Sequence, residues 1–238
     1  MRPPRRSRDS TLAVWGTMIC AMTALDDASS NTHSEPVAPE GSKPALRSRL
    51  LRAREALSPQ ERALEQRLIQ QHVETLPQWR RASAVCGYAA MGSEVSCDSL
   101  LNDALAAGKR VLLPRCIPGR KLAWHQIASE WRTQLHIHPY GMGEPDPIRC
   151  PQVDPRELEP GRLVVIVPAV GLDPCSGGRL GYGGGYYDRF LASLDTGVFT
   201  LGICYECQLV ALSTLVEPTD VPLDAIVSPH GCHRTPRP

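Results

Sequence analysis

The run Leu163-Val164-Val165-Ile166-Val167 leads into Gly171-Leu172-Asp173-Pro174-Cys175-Ser176-Gly177-Gly178-Arg179-Leu180-Gly181-Tyr182-Gly183-Gly184-Gly185-Tyr186-Tyr187-Asp188-Arg189. Five consecutive apolar, mostly β-branched residues predict a strand buried on both faces. A glycine-rich loop leaves its carboxyl end, and a helix is predicted from Tyr186 to Leu194. Glycine permits positive φ and lets a ligand approach the backbone amides closely. A strand that runs through such a loop into a helix start is an anion site, most often for phosphate. Arg179 adds positive charge, and Asp188, one turn into the helix, is placed to hold a metal that accompanies phosphates. The loop has no Gly-Lys-Ser/Thr and is no P-loop, and a Gly-x-Gly-x-x-Gly frame from Gly181 fails at Tyr186. Two glycines would suit a plain turn; this many cost too much chain entropy for turn geometry alone.

Working outward, Ala84 to Ala89 reads as a strand, Ser99 to Ala107 as a helix ended by Gly108, and Arg110 to Pro114 as the next strand. That is a β-α-β unit and favours parallel pairing. Phe199 to Cys204 and Ala225 to Ser228 read as further strands. Lys121 to Ile127 and Trp131 to Ile137 suit a hairpin or strand pair, and Pro139 to Pro160, with six prolines, an extended surface connection. Upstream, Leu46, Leu50, Ala53 and Leu57 fall at helical spacing, with Lys43, Arg47 and Arg54 on a neighbouring face. Ser58-Pro59-Gln60-Glu61 is a capping box that starts a second helix, Pro59 to Glu74, expected to bury Leu64, Leu68, Val73 and Leu76. The predicted class is α/β: a three-layer α/β/α protein with a mainly parallel sheet and its site at the strands' carboxyl ends.

Composition narrows the function. The chain has 238 residues, 42% hydrophobic and 21% charged, with a net charge of +1, which argues against a general polyanion binder. No partnership with nucleic acid is expected. No apolar run is long enough to span a bilayer, and no membrane partner is expected. Nine cysteines spread over the chain read as reduced thiols of a cytoplasmic protein, not as a secreted disulfide framework. Residues 1–40 differ from the rest. Arg2, Arg5, Arg6 and Arg8 precede an apolar stretch from Leu12 to Ala24 and then a polar tract. This has the outline of a signal peptide, but Thr, Met and Cys dilute the apolar run. The reading preferred is a disordered or non-native extension. Residues 41–230 are then the α/β domain and 231–238 a flexible tail.

Arg179-Leu180-Gly181-Tyr182-Gly183-Gly184-Gly185-Tyr186-Tyr187-Asp188-Arg189 resembles the signature of the 5-formyltetrahydrofolate cyclo-ligases, also called methenyltetrahydrofolate synthetases. The resemblance extends over about Lys43 to Ser228. Lys43-Pro44-Ala45-Leu46-Arg47, Tyr88 to Val95, Leu113-Pro114-Arg115, Gly143-Glu144-Pro145, Leu201 to Gln208 and Asp220-Val221-Pro222-Leu223-Asp224 follow in the family's order. Each of these shorter blocks is weak alone; the order makes them persuasive.

The resemblance implies a Rossmann-like fold of the NagB/RpiA/CoA-transferase-like kind. It implies conversion of 5-formyltetrahydrofolate and ATP, with Mg²⁺, to 5,10-methenyltetrahydrofolate, ADP and phosphate. A monomer is expected. It also implies roles. Lys43 and Arg47 contact ATP, together with Arg179, Leu180, Gly181, Tyr182, Gly183, Gly184, Gly185, Tyr186 and Tyr187. Ala89, Glu94 and Tyr182 through Tyr186 contact the folate. Asp188 and Asp220 are the metal ligands, and Arg179, Tyr186 and Asp188 are the catalytic set. Two departures stand out: Thr219 precedes Asp220 where many relatives have His, and Gly184 stands where some carry Lys. Phosphate charge would then fall to Lys43, Arg47, Arg179 and Mg²⁺.

Two other classes compete. Cys204 and Cys207 with His230, Cys232 and His233 suggest a zinc-binding interaction module, though the second pair lacks the usual separation. Structural thiols are the preferred reading. A sugar-phosphate or acyl-CoA enzyme on a similar sheet would show neither ATP hydrolysis nor folate affinity.

Overall fold

The computed structural model describes residues 41–138 and 141–235. The N-terminal stretch 1–40 and residues 236–238 lie outside the described residues.

Helix α1, Lys43–Ala56, starts at Ser42, whose hydroxyl accepts from the Ala45 amide. Helix α2, Pro59–Thr75, opens on the complete capping box between Ser58 and Glu61. A short helix α3, Pro77–Arg81, delivers the chain to strand β1, Ala84–Cys86. Helix α4, Asp98–Ala106, crosses over to β2, Arg110–Ile117, which turns into β3, Lys121–Ile127. Then come β4, Leu135–Ile137; β5, Gly143–Pro145; β6, Leu163–Val167; β7, Gly171–Leu172; and β8, Arg179–Leu180. Helix α5, Tyr186–Leu191, precedes β9, Phe199–Ile203; β10, Ala225–Ser228; and β11, Gly231–Arg234.

Seven strands form the main sheet in the order β11-β10-β9-β6-β1-β2-β3. The five central strands are parallel, with registers such as Val85 beside Val111 and Val164, and Ile166 beside Leu201. Both edge strands, β3 and β11, are antiparallel. Alternation along the strands divides the core. Val85, Val111, Val164, Ile166 and Leu201 pack under α2, α3 and α4 with Ile69, Val73, Trp79 and Leu101. Ala84, Leu112, Leu163, Val165 and Val167 pack on the opposite face with Trp124 and with Phe190 and Leu191 of α5. These are the three predicted layers. Helix α1 stands apart, its Leu50 buried against Val170, Leu180 and Leu212 beside the glycine loop.

Several local expectations fail. Leu64 is 56% exposed, and Ile69 takes the buried place, because the inner stripe of α2 passes through Ile69, Val73 and Leu76. β3 pairs with β2, not with the segment after it; Trp131–Gln134 is a 3-10 turn, and β4 pairs with β5 inside the proline-rich connection. That connection is not merely a surface strap, since Glu144 and Cys150 are buried. Helix α5 ends at Leu191, three residues early, as 3-10-like bonds from Ser193 and Leu194 tighten the turn. Residues 231–234, expected within a flexible tail, are an edge strand, because β10 offers them an unpaired ladder.

Candidate active site

One cavity of about 610 Å³ opens where β1, β6 and the glycine loop end. The sheet alone could not close it. β7 pairs with β8, so the chain turns back on itself and brings the loop over the strand ends. Gln208 holds the base of this turn, donating to the carbonyls of Ala169 and Val170 at 3.0 and 3.1 Å. Asp173 caps the turn at the other end: Oδ1 accepts from Cys175 N, and Oδ2 accepts from Leu212 N, both at 2.9 Å.

The loop needs glycine at particular places. Gly183 has φ +99° and Gly185, the N-cap of α5, has φ +66°. Gly184 lies outside the left-handed region. Arg47 reaches across from α1 and donates Nε to the Gly181 carbonyl at 2.7 Å. A Cβ on Gly183 would sit 3.6 Å from the same guanidinium. Arg47 is therefore a brace of the loop as well as a cation facing the cavity. Burial lowers its pKa, and Glu217 and Asp220 partly offset that.

Charge is arranged in two groups. Lys43 Nζ sits 2.9 Å from Asp220 Oδ2 and 2.8 Å from Glu217 Oε1. Burial alone would depress its pKa, but the bonds to the two carboxylates raise it overall. Asp220 Oδ2 also accepts from the Glu217 amide, so Asp220 is oriented by its own loop without a preceding histidine. Arg179, its side chain 6% exposed, donates Nη2 to Asp188 Oδ1 at 2.7 Å and lies 5.8 Å from the Tyr187 ring centroid. Arg179 Nε and the Tyr187 hydroxyl are buried without a partner among the described residues. Buried polar atoms are ordinarily satisfied, and both of these belong to residues that line the cavity.

The other wall is less charged. Glu94, 9% exposed, accepts from the Met91 amide at 2.8 Å and from the Tyr182 hydroxyl at 2.6 Å. Burial raises its pKa against the pull of those bonds and of Arg54. Tyr88 and Ala89 of the same segment, with Met142 and Leu122, add apolar surface to the cavity. Every residue assigned a site role from the sequence lines this cavity, from Lys43 and Arg47 through Ala89 and Glu94 to the run 179–188 and Asp220. Sequence reading assigned no role to Arg54, Glu144 or Glu217. Arg54 lies on the predicted basic stripe, and its burial was the missing signal. Glu144 is buried at the cavity wall, with Oε1 accepting from Cys116 N at 2.8 Å and Oε2 3.4 Å from Arg115 Nε.

A family model for the 5-formyltetrahydrofolate cyclo-ligase family matches residues 39–229. The chain belongs to the 5-formyltetrahydrofolate cyclo-ligase family. The cyclo-ligase of Escherichia coli K12 is 32% identical over 184 residues, 74% of this chain and 94% of that protein. The probable cyclo-ligase of Schizosaccharomyces pombe is 31% identical over 166 residues, 65% of this chain and 78% of that protein. Among solved structures, the 5,10-methenyltetrahydrofolate synthetase of Mycoplasma pneumoniae superposes with a TM-score of 0.61 at 26% identity, over 79% of this chain and 98% of that one. That of Aquifex aeolicus reaches 0.64 at 26% identity, over 81% and 92%. The glycine loop, α1 and the Glu94 wall of this chain line one cavity. The cysteine and histidine groups form no such centre: among the described residues no three His, Cys, Asp or Glu side chains could hold a metal. Cys204 is fully buried, and burial raises its thiol far above the ordinary value.

Proposed function

We propose that this chain converts 5-formyltetrahydrofolate and ATP to 5,10-methenyltetrahydrofolate, ADP and phosphate in this cavity. The observation that carries the reading is the division of one cavity into a cationic, glycine-floored side and an apolar side with a buried carboxylate. ATP suits the first, with Lys43, Arg47 and Arg179 meeting the phosphates and the loop 179–187 cradling them. The pterin suits the second, against Ala89 and Glu94, with Tyr182 to Tyr186 between the two substrates.

The chemistry follows from the substrate. A formyl group on nitrogen is an amide, and its oxygen leaves poorly. Attack of that oxygen on the γ-phosphorus releases ADP and turns the oxygen into part of a phosphate ester. The N10 amine then closes on the carbon and gives up its proton, and phosphate departs with the former formyl oxygen. Such transfer needs positioning and charge compensation more than covalent help from the protein. Arg179, whose side chain lines the cavity, would meet the γ-phosphate. Tyr186 closes the floor between the reacting groups.

Asp188 and Asp220 fit Mg²⁺ in kind. Both are hard oxygen donors on one cavity, and this ion commonly takes one or two carboxylates plus substrate phosphates. Bound there, Mg²⁺ would neutralise charge on the transferring phosphoryl group. Lys43 pairs with Asp220 and Arg179 with Asp188. A cytoplasmic monomer belongs to the same reading. No helix of the described residues is long and apolar enough to cross a membrane.

The test is incubation with 5-formyltetrahydrofolate carrying ¹⁸O in the formyl group, with ATP and Mg²⁺. Growth of the methenyl absorbance and label in the released phosphate are expected. Methenyl product with unlabelled phosphate would exclude the phosphorylated intermediate, and no product would exclude the function.

A further inference from the structure

Arg54 continues the basic face of α1, yet unlike Lys43 and Arg47 it does not line the cavity. It is 4% exposed. Its Nε donates to the Ser93 hydroxyl at 2.9 Å and its Nη2 to the Tyr182 hydroxyl at 3.1 Å, while Nη1 is buried without a partner among the described residues. Among the described residues no carboxylate pairs with it directly. A buried cation so placed is a poor device for stability, since a well-packed apolar side chain of similar volume generally does as well or better. Its effect passes through Tyr182. A phenol has one proton to give. Because the Tyr182 oxygen accepts from Arg54, that proton is committed to Glu94 Oε1, 2.6 Å away. Glu94 Oε2 is held by the Met91 amide, so the carboxylate plane is set from both sides. Each oxygen keeps acceptor capacity toward the cavity.

We infer that Arg54 is a positioning residue, acting through Tyr182 to hold Glu94 as an oriented, ionised carboxylate for a ligand edge that presents adjacent N–H donors. The amino-pyrimidine edge of a pterin is such an edge, so the inference rests on Glu94 facing the folate. The line joins α1, the glycine loop and the segment after β1, and it gives the basic stripe of α1 two jobs: Lys43 and Arg47 face phosphate, and Arg54 serves the other substrate.

Five other groups face Glu94: Arg54 from α1, Tyr182 and Tyr187 from the loop and α5, and Tyr88 and Cys97 from the segment flanking β1. Burial raises the three tyrosines above their ordinary range and pushes the Cys97 thiol up to about 12. As pH rises from the acid range toward neutral, Glu94 is therefore the group of this cluster that changes charge first. Removing Arg54 removes a cation that favours the ionised form and moves its titration upward.

The experiment is calorimetric titration of 5-formyltetrahydrofolate into the full-length chain across that pH range, for wild type, Glu94→Gln, Arg54→Met, Arg54→Lys, Tyr182→Phe and the Arg54→Met/Tyr182→Phe double variant. A non-hydrolysable ATP analogue is titrated in parallel. Arg54→Met should weaken folate binding about tenfold near neutrality, as loss of a charge-assisted interaction does. The midpoint of its pH profile should rise by about one unit, with ATP-analogue affinity changed less than about twofold. Arg54→Lys should restore most of the loss, and Arg54→Met should do little more once Tyr182 is Phe. An unmoved midpoint, or equal losses for folate and nucleotide, would reduce Arg54 to a structural role. If Arg54→Met does not fold, Arg54→Lys and Tyr182→Phe carry the same comparison, and a Tyr182→Phe profile identical to wild type overturns the relay. Unchanged folate affinity in Glu94→Gln overturns the placement of the pterin itself, a failure distinct from an inert Arg54.

Discussion

Arg179 and Asp188 stand nine residues apart in sequence and 2.7 Å apart in space, paired across the glycine loop that separates them. The pair has one nearly buried member and one accessible to the cavity, so it balances Arg179 while leaving Asp188 open to a ligand. Asp188→Ala should lower turnover by about a hundredfold or more, the usual cost of losing charge compensation in a phosphoryl transition state. It should also lower stability by about 1–2 kcal/mol, a partly buried pair losing less than the fully buried limit. Asp188→Asn keeps an acceptor for Arg179 and should recover melting temperature but not rate. Single-turnover kinetics alongside thermal melts will show whether the two effects separate; parallel recovery of both would remove the metal-side role.

Glycine substitutions should rank by backbone conformation. Gly183→Ala and Gly185→Ala force a side chain into positive φ, costing about 1 kcal/mol each. At Gly185 the new Cβ would also meet Arg189 Nη1 at 2.7 Å, a flexible group that can move. Gly184→Ala carries no such strain. ATP-analogue affinity should fall clearly for the first two and least for the third. Equal affinities in all three variants would deny the loop its part in holding phosphate.

Lys43 and Arg47 should not behave alike. Lys43→Ala frees the half-buried Asp220 and the exposed Glu217, whose charges solvent still screens, and should raise the Michaelis constant for ATP with a small change in melting temperature. Arg47→Ala also removes the brace on the Gly181 carbonyl and should cost about 1 kcal/mol of stability in addition. Deletion of residues 1–40 should leave activity and melting temperature near those of the full chain, whereas deletion to residue 50 removes both cations and Leu50 and should lose both. A forty-residue truncation without activity would move the domain boundary upstream.

Asp173 predicts an acid limit. Burial would raise its pKa, but the Leu212, Cys175 and Ser176 groups that bond its oxygens lower it overall. A carboxylate with a depressed native pKa contributes fully above its unfolded value of about 3.9 and loses that contribution as pH falls through the native value. Asp173→Asn should reduce stability by about 1–3 kcal/mol at neutral pH, since its amide puts a donor against a backbone N–H. The deficit should shrink below about pH 4, as the wild-type carboxyl protonates. Denaturant melts over that range will measure it; a deficit constant with pH would assign the loss to packing.

The parallel core was legible because each of its signals is local. Leu163 to Val167 is apolar without alternation, the Ser58 to Glu61 box closes over four residues, and the spacing of Ala84, Ser99 and Arg110 leaves room for one crossover helix. The glycine run was equally plain, since no ordinary turn needs so many. What escaped the reading depends on partners distant in the chain. Leu64 and Ile69 are both apolar on α2, and only the sheet beneath decides that Ile69 goes in. β11 exists because β10 leaves a ladder open, which residues 231–234 cannot announce by themselves. Arg54, Tyr182 and Glu94 come from three separate segments, and nothing in their spacing foretells a hydrogen-bonded line. Local propensity and pattern act over a few residues, while burial and pairing act over the whole folded chain. The former write themselves into the sequence, and the latter arise only when the sheet, the loop and α1 meet.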